Sequence, residues 1–210
     1  MTKTDENGLV LALVGESGAG KTTTTAIIAE MGFAPIALSK HLREAAIARY
    51  GEPERAQVQE LARETQAIEG DDYYARVALA DPSFLQSNNV IVDGLRNMAE
   101  LEYTTRAVAD SGRKFFLVAV IASDETRFSR VVNRGRVGDP LLLEQFQEDD
   151  ARARGSAVDG FQQNGILIEM AEHRLHNTGD IDTLHERIQE TIVLARRSNS
   201  LEPSDDGTRR

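Results

Sequence analysis

The sequence predicts an α/β fold: a three-layer arrangement with a mainly parallel, five-stranded sheet between helices. Three observations predict it. Short apolar runs recur at 9–14, 34–38, 90–92 and 115–121, with a weaker one at 173–176. Each has the length of a strand buried on both faces. Helical patterns separate these runs, as crossovers between parallel strands require. The first run, Leu9 to Val14, leads into Gly15-Glu16-Ser17-Gly18-Ala19-Gly20-Lys21-Thr22 and then into a helical pattern.

The elements follow in order. Leu9 to Val14 is continuously apolar, as suits a central strand. The helix behind it opens at Lys21 and is expected to reach Met31, where Gly32 stops it. Ala34 to Leu38 makes the second strand. Ser39 is placed to cap a helix running toward Tyr50, and Gly51 and Pro53 break that helix. Helical stretches at 53–69 and 71–80 precede the third strand at 90–92. Residues 39–81 are too many for a simple crossover and are read as an inserted helical lobe. Helices near 97–111, 124–134, 141–154, 158–171 and 181–197 complete the series. Gly135, Gly138 and Pro140 make residues 134–156 a hinged lid. Residues 1–197 form one domain, and the polar stretch 198–210 is expected to be a flexible tail.

Composition excludes several function classes. The 210 residues carry a net charge of −10, from 24 basic and 34 acidic side chains. A general nucleic-acid binder needs a basic face, so no nucleic-acid partner is expected. The chain has no cysteine, which removes disulfides, thiol chemistry and cysteine zinc sites. Met1 to Gly8 is polar, with no apolar signal core. No apolar run reaches the roughly 18–20 residues of a membrane span. A cytoplasmic protein without a membrane partner is expected.

The segment from Gly15 to Thr22 has the G-x-x-x-x-G-K-[ST] spacing of a phosphate loop. Its glycines let backbone N–H groups turn inward around a phosphate chain. Lys21 supplies a point charge for the β- and γ-phosphates, and the Thr22 hydroxyl suits Mg²⁺. The helix behind Lys21 adds its positive end. Gly15, Glu16, Ser17, Gly18, Ala19, Gly20, Lys21, Thr22 and Thr23 are therefore the candidate ATP-binding stretch. The spacing differs from G-x-G-x-x-G, which disfavours NAD.

A second site is Val90-Ile91-Val92-Asp93-Gly94, a strand ending in an acid. Beside a phosphate loop, Asp93 is placed to hold Mg²⁺ or its water shell. Arginines fill out the picture. Arg43 opens the helical lobe, and Arg96 follows Asp93. Arg127, Arg130 and Arg134 share a helical face, and Arg136 lies in the hinged loop. Arg152 and Arg154 sit on the next helix. In so acidic a chain, this cationic stripe points to a polyphosphate clamp with a lid.

These segments resemble the nucleoside monophosphate kinase group of P-loop kinases, which takes in adenylate kinases, phage deoxynucleoside monophosphate kinases and dephospho-coenzyme A kinases. Ser39-x-x-Leu42-Arg43 resembles the segment whose arginine grips the acceptor phosphate. Val90 to Arg96 resembles the strand carrying a second such arginine. Asp124-Glu125 with Arg130 and Arg134 resembles the helix whose arginines meet the donor adenine and the transferring phosphates. Arg55 to Leu61, with Gly70 to Tyr73, resembles the acceptor lobe of phage and archaeal kinases. His176-Asn177-Thr178-Gly179-Asp180 looks like the loop that packs near adenine in dephospho-coenzyme A kinases.

The resemblance implies ATP and Mg²⁺ as cofactors. Lys21, Arg130, Arg134 and Arg136 become catalytic candidates, and Asn177 joins the ATP site. Arg43, Arg96 and Glu100 face the acceptor, and Thr22 and Asp93 the metal. Glu100 stands where adenylate kinases have a glutamine, and it offers no amide donor. The lid lacks a long zinc-type or hairpin insertion. The expected activity is phosphoryl transfer from ATP to a small phosphorylated acceptor, a nucleoside or deoxynucleoside monophosphate. Dephospho-coenzyme A kinase-like or other small-metabolite kinases are the alternative, with Asp93, Glu100 or Asp71 as the base. A non-catalytic nucleotide-binding module is a further one. A GTPase-like switch is disfavoured, because Asn177-Thr178-Gly179-Asp180 lacks the lysine of N-K-x-D. His173 and His176 lack a third ligand at metal spacing, and Tyr73 and Tyr74 read as packing residues.

Overall fold

The structure, a computed structural model, describes residues 8–135, 138–155 and 163–198. Its sheet holds five strands: β1 (Leu9–Val14), β2 (Ala34–Ala37), β3 (Val90–Asp93), β4 (Lys114–Ile121) and β5 (His173–His176). Their spatial order is β2-β3-β1-β4-β5, and every pairing is parallel. The sheet is thus wholly parallel, one step beyond the expected mainly parallel sheet.

Side chains alternate across the strands, and both faces are dry. Val10, Ala12 and Val14 of β1 join Phe115, Leu117 and Ala119 of β4 in one core. Leu9, Leu11 and Leu13 join Phe116, Val118 and Val120 in the other. The second core is closed by Ile27 and Ile28 of α1 (Lys21–Glu30) and by Leu184 and Ile188 of α10 (Ile181–Arg197). The first is closed by Leu101 and Val108 of α6 (Met98–Asp110) and Leu167 of α9 (Asn164–Met170). Fully burying one such Leu or Phe side chain stabilises the fold by about 1.5–3 kcal/mol. All six β1 residues are buried, as suits the central strand of the sheet.

The inserted lobe holds α2 (Ser39–Tyr50), α3 (Arg55–Glu69), α4 (Tyr73–Leu79) and a short α5 (Pro82–Gln86). The expected helices at 53–69 and 71–80 are therefore shorter, and α5 is an addition. Asp81 caps α5 by accepting from Ser83 N, with Pro82 in the first turn. Ser39 does not cap α2. It is the first helical residue, and Leu38 precedes it without a side-chain cap. Glu54 and Gln57 cap α3 reciprocally, which moves its start past Pro53. Tyr74 is buried and meets Tyr73 edge-on at 5.2 Å, a packing role for both.

Two further helices complete the chain: α7 (Asp124–Arg134) and α8 (Leu143–Arg154). The helix expected at 158–171 begins at Asn164, and residues 156–162 lie outside the described residues. So do Arg136 and nearly all of the expected tail. Among the described residues no helix is long and apolar enough to cross a membrane.

Candidate functional site

The carboxyl ends of β1 and β3 lie side by side, with Leu13 in register with Asp93. The phosphate loop and the strand-end acid therefore meet at one edge of the sheet, where the strand order reverses and α/β folds bind ligands. The expected pairing of Gly15–Thr22 with Asp93 is assembled here.

Close packing fixes the loop. Gly20 has φ 99°, and a Cβ there would lie 2.0 Å from Asn177 Nδ2. Gly18 has φ 78°, and a Cβ there would lie 2.4 Å from the Arg127 carbonyl oxygen. Neither position accepts a side chain. Lys21 Nζ folds over the loop and donates to the Gly15 carbonyl at 2.6 Å and the Glu16 carbonyl at 3.2 Å. Burial pushes its pKa down to about 8, against the pull of Asp93, and Arg96, Arg127 and Arg134 add to the fall. Thr22 and Thr23 stand exposed in the first turn of α1.

Asn177 is only 6 % exposed. It follows β5, donates Nδ2 to the Ala19 carbonyl at 2.8 Å, and draws its own N–H to Ile121 at 2.7 Å. Arg130 joins it, donating to the Ala19 carbonyl at 3.4 Å and the Asn177 carbonyl at 3.2 Å. Both candidates therefore touch the phosphate loop, and each braces its backbone.

Arg127 departs from the expected stripe. It is 0 % exposed, so it faces no ligand cleft. Its guanidinium donates to the Ser17 carbonyl at 3.0 Å and pairs with Glu16 at 3.2 Å, Asp124 at 2.9 Å and Asp150 at 2.5 Å. The i, i+3, i+7 spacing placed it correctly on α7. Sequence carries no sign that three carboxylates converge on it. Arg154 adds an ion pair to Glu16 at 2.6 Å, so the loop's acid is clamped from α7 and α8 together. Arg134, at the end of α7, makes a two-pronged contact with Asp139, in the stretch expected to be a lid, both bonds at 2.8 Å.

Two further arginines act on Asp93. Burial raises the Asp93 pKa, while Lys21, Arg96 and Arg43 pull it back. Arg43 is exposed on α2. Arg96 is solvent-accessible but walled by protein. Desolvation lowers its pKa, Glu100 and Asp93 oppose the fall, and Arg43 and Arg55 add to it. The Arg96 peptide is held at both ends. Glu100 Oε2 accepts its N–H at 2.7 Å, and Gln163 N donates to its carbonyl at 2.7 Å.

Glu100, 2 % exposed, lies beneath Arg96 and is spent on backbone contacts. Burial pushes its pKa up to about 7, against its hydrogen bond from Arg96 N. Asn97 caps α6 by accepting from Glu100 N at 2.8 Å. That Asn-x-x-Glu capping pattern was available in the sequence. Gln163 carried no comparable signal, and Arg55 was marked only as the start of the segment that resembles an acceptor lobe.

The donor set suits a phosphate-bound cation. Among the described residues no three His, Cys, Asp or Glu side chains cluster as a metal site. Asp93 and the Thr22 hydroxyl match Mg²⁺, which keeps waters and binds through one or two carboxylates plus phosphate oxygens.

A phosphate loop at the head of β1, an acid at the end of β3 and a wholly parallel sheet define a P-loop protein of kinase fold. Residues 11–152 match the family described as AAA domain. The UPF0200 protein of Methanothrix thermoacetophila is 32% identical, over 88% of this chain and 96% of that one. The chain belongs to the UPF0200 family. Among solved structures, TT1252 from Thermus thermophilus covers 92% of this chain and 100% of its own, at TM-score 0.58 and 19% identity. Shikimate kinase from Bacteroides thetaiotaomicron covers 90% and 98%, at TM-score 0.51 and 16% identity. Both share the fold.

Proposed function

We propose that the protein transfers the γ-phosphoryl group of ATP to a small phosphorylated acceptor, a nucleoside or deoxynucleoside monophosphate. One observation carries this reading: Asp93 lies in the field of Lys21 from the phosphate loop and of Arg43 and Arg96 from two other segments. Lys21 and Arg130 bond to the phosphate loop, Arg134 acts electrostatically on Lys21, and Arg43 and Arg96 come from α2 and the turn after β3. An ATP-binding module needs the first set. The second set fits an acceptor that is itself anionic, since guanidinium forks match phosphate oxygens.

In this reading the chain works by position and charge neutralisation, which is what phosphoryl transfer asks of a protein. The loop N–H groups and Lys21 hold the donor phosphates. Thr22 and Asp93 would hold Mg²⁺, which would supply further neutralisation of the phosphate oxygens. Arg43 and Arg96 hold the acceptor phosphate in line. Arg134 leaves Asp139 for the transferring group as the lid closes and excludes water. Arg136 belongs to the same catalytic set by its place in the lid.

A second reading has a hydroxyl acceptor on an unphosphorylated metabolite. The raised pKa of Asp93, beside Lys21, favours it by suiting a general base. The Bacteroides neighbour is named a shikimate kinase.

The test is ATP consumption with Mg²⁺ across the ribo- and deoxynucleoside monophosphates, with products identified by mass spectrometry. Stimulation by one monophosphate and appearance of its diphosphate support the reading. Absence of stimulation by every monophosphate removes it.

A further inference from the structure

Arg55 opens α3, and helix stability does not explain it there. A cation in the first turn opposes the helix dipole, and the cap of α3 is already supplied by Glu54 and Gln57. Its Nη1 instead reaches Asp149 Oδ2 on α8 at 2.9 Å, with the two side chains 37% and 25% exposed. Asp149 does not depend on it. Arg152, one turn along α8, pairs with the same carboxylate. The lid backbone lies against Arg55 too, since a Cβ on Gly138 would sit 3.3 Å from Arg55 Cβ.

Arg55 lies within electrostatic reach of Arg96, as does Arg43. Three guanidiniums from α2, α3 and the turn after β3 thus share one electrostatic neighbourhood around Arg96. Gathering like charges is unfavourable unless an anion joins them. Glu100 and Asp93 answer Arg96, and Asp149 answers Arg55 with one charge and two oxygens. A phosphate monoester brings a second charge and a third terminal oxygen, which makes it the stronger partner.

Resting on the phosphorylated-acceptor reading, we propose that Arg55 is a third ligand of the acceptor phosphate, kept in reserve by Asp149 and released when the acceptor arrives. The exchange leaves no orphaned charge, because Asp149 retains Arg152. It makes the acceptor phosphate a competitor for a contact that ties the lobe to the lid helix. Acceptor binding then loosens α8 from α3.

The test uses the full chain with Mg²⁺·ADP saturating, titrated calorimetrically with inorganic phosphate and with nucleoside 5′-monophosphates. Mg²⁺·ADP affinity, measured alongside, reports that each variant is folded. Arg55→Ala should weaken the phosphate-bearing probes by about tenfold, the loss of one charge-assisted contact, and Arg55→Lys should recover part of it. Asp149→Asn should tighten them about threefold or more, since the reserve contact is gone. The double variant Arg55→Ala/Asp149→Asn should show no such gain, because the gain passes through Arg55.

The proposal is overturned if Arg55→Ala binds like the unchanged protein, or if Asp149→Asn fails to tighten binding. It is equally overturned if the gain persists without Arg55, or if no phosphate-bearing probe binds. These are binding readouts without turnover. The kinase reading fails separately, when no acceptor stimulates ATP consumption.

Discussion

The buried Arg127 guanidinium donates to the Ser17 carbonyl of the phosphate loop at 3.0 Å. That contact makes a fully buried cation part of the loop's own architecture. Arg127→Met leaves Asp150 buried without its partner, so urea unfolding should show a loss of about 3–5 kcal/mol. Adding Asp150→Leu should restore much of it, because apolar side chains replace a buried pair at little cost. ATP affinity should stay impaired in the double variant, since Ser17 lacks its donor. Full recovery of affinity would show that Arg127 serves stability alone.

Gly20 and Asn177 occupy the same space. Gly20→Ala drives a Cβ to 2.0 Å from Asn177 Nδ2, so either the loop or the Asn177 brace must give way. ATP binding should fall by at least about tenfold, on the order of 1.4 kcal/mol. Gly112→Ala is the control. Its φ of 70° is also positive, but nothing lies within 4 Å of the added Cβ. Calorimetry should find nucleotide affinity unchanged in that control.

Lys21 sets a pH dependence. With its pKa near 8 in the phosphate-free protein, it is only partly protonated above neutrality. Bound phosphates favour the charged form, so ATP binding should take up a proton near pH 8. Affinity should fall as pH rises from about 7 to 9. Calorimetry in two buffers of different ionisation enthalpy reads the proton directly. Lys21→Met should abolish both effects, and proton release in place of uptake would contradict the assignment.

Glu100 sets a second pH dependence, in stability. Its folded pKa of about 7 lies above its ordinary 4.5. The folded state therefore holds the proton more tightly than the unfolded one. This contribution is fully present below about pH 4.5 and is lost as pH rises toward 7, with an upper bound of about 3 kcal/mol. Glu100→Gln keeps an acceptor for Arg96 N and removes the charge. Its melting temperature should exceed that of the unchanged protein at pH 8, and the difference should vanish near pH 5.

The donor half of the site was legible because it is local. Gly15 to Thr22 is contiguous, and both Leu9–Val14 and the helix behind Lys21 carry their period in the sequence. Asp93 could be placed because a strand-end acid needs only the neighbouring strand. Arg127 shows the limit. Helical spacing put it beside Arg130, but its burial depends on Glu16, Asp124 and Asp150 meeting in space. Gln163 likewise reaches Arg96 and Met98 across a span no periodicity marks. Ser39 was misplaced as a cap because Leu38 already has helical backbone angles. Helix ends moved by a residue or two where caps such as Glu54 and Asn97 decided them.

Asp149 and Asp150 follow one another on α8, and successive helical residues point roughly 100° apart. One reaches Arg55 in the inserted lobe, the other Arg127 beneath the phosphate loop. The α8 helix is therefore not an interchangeable part. Transplanting α8 from a relative would carry away the anchors of two regions far apart in sequence. A chimera would need matching residues at 55 and 127, and with Glu16 in place only if Arg154 travels too.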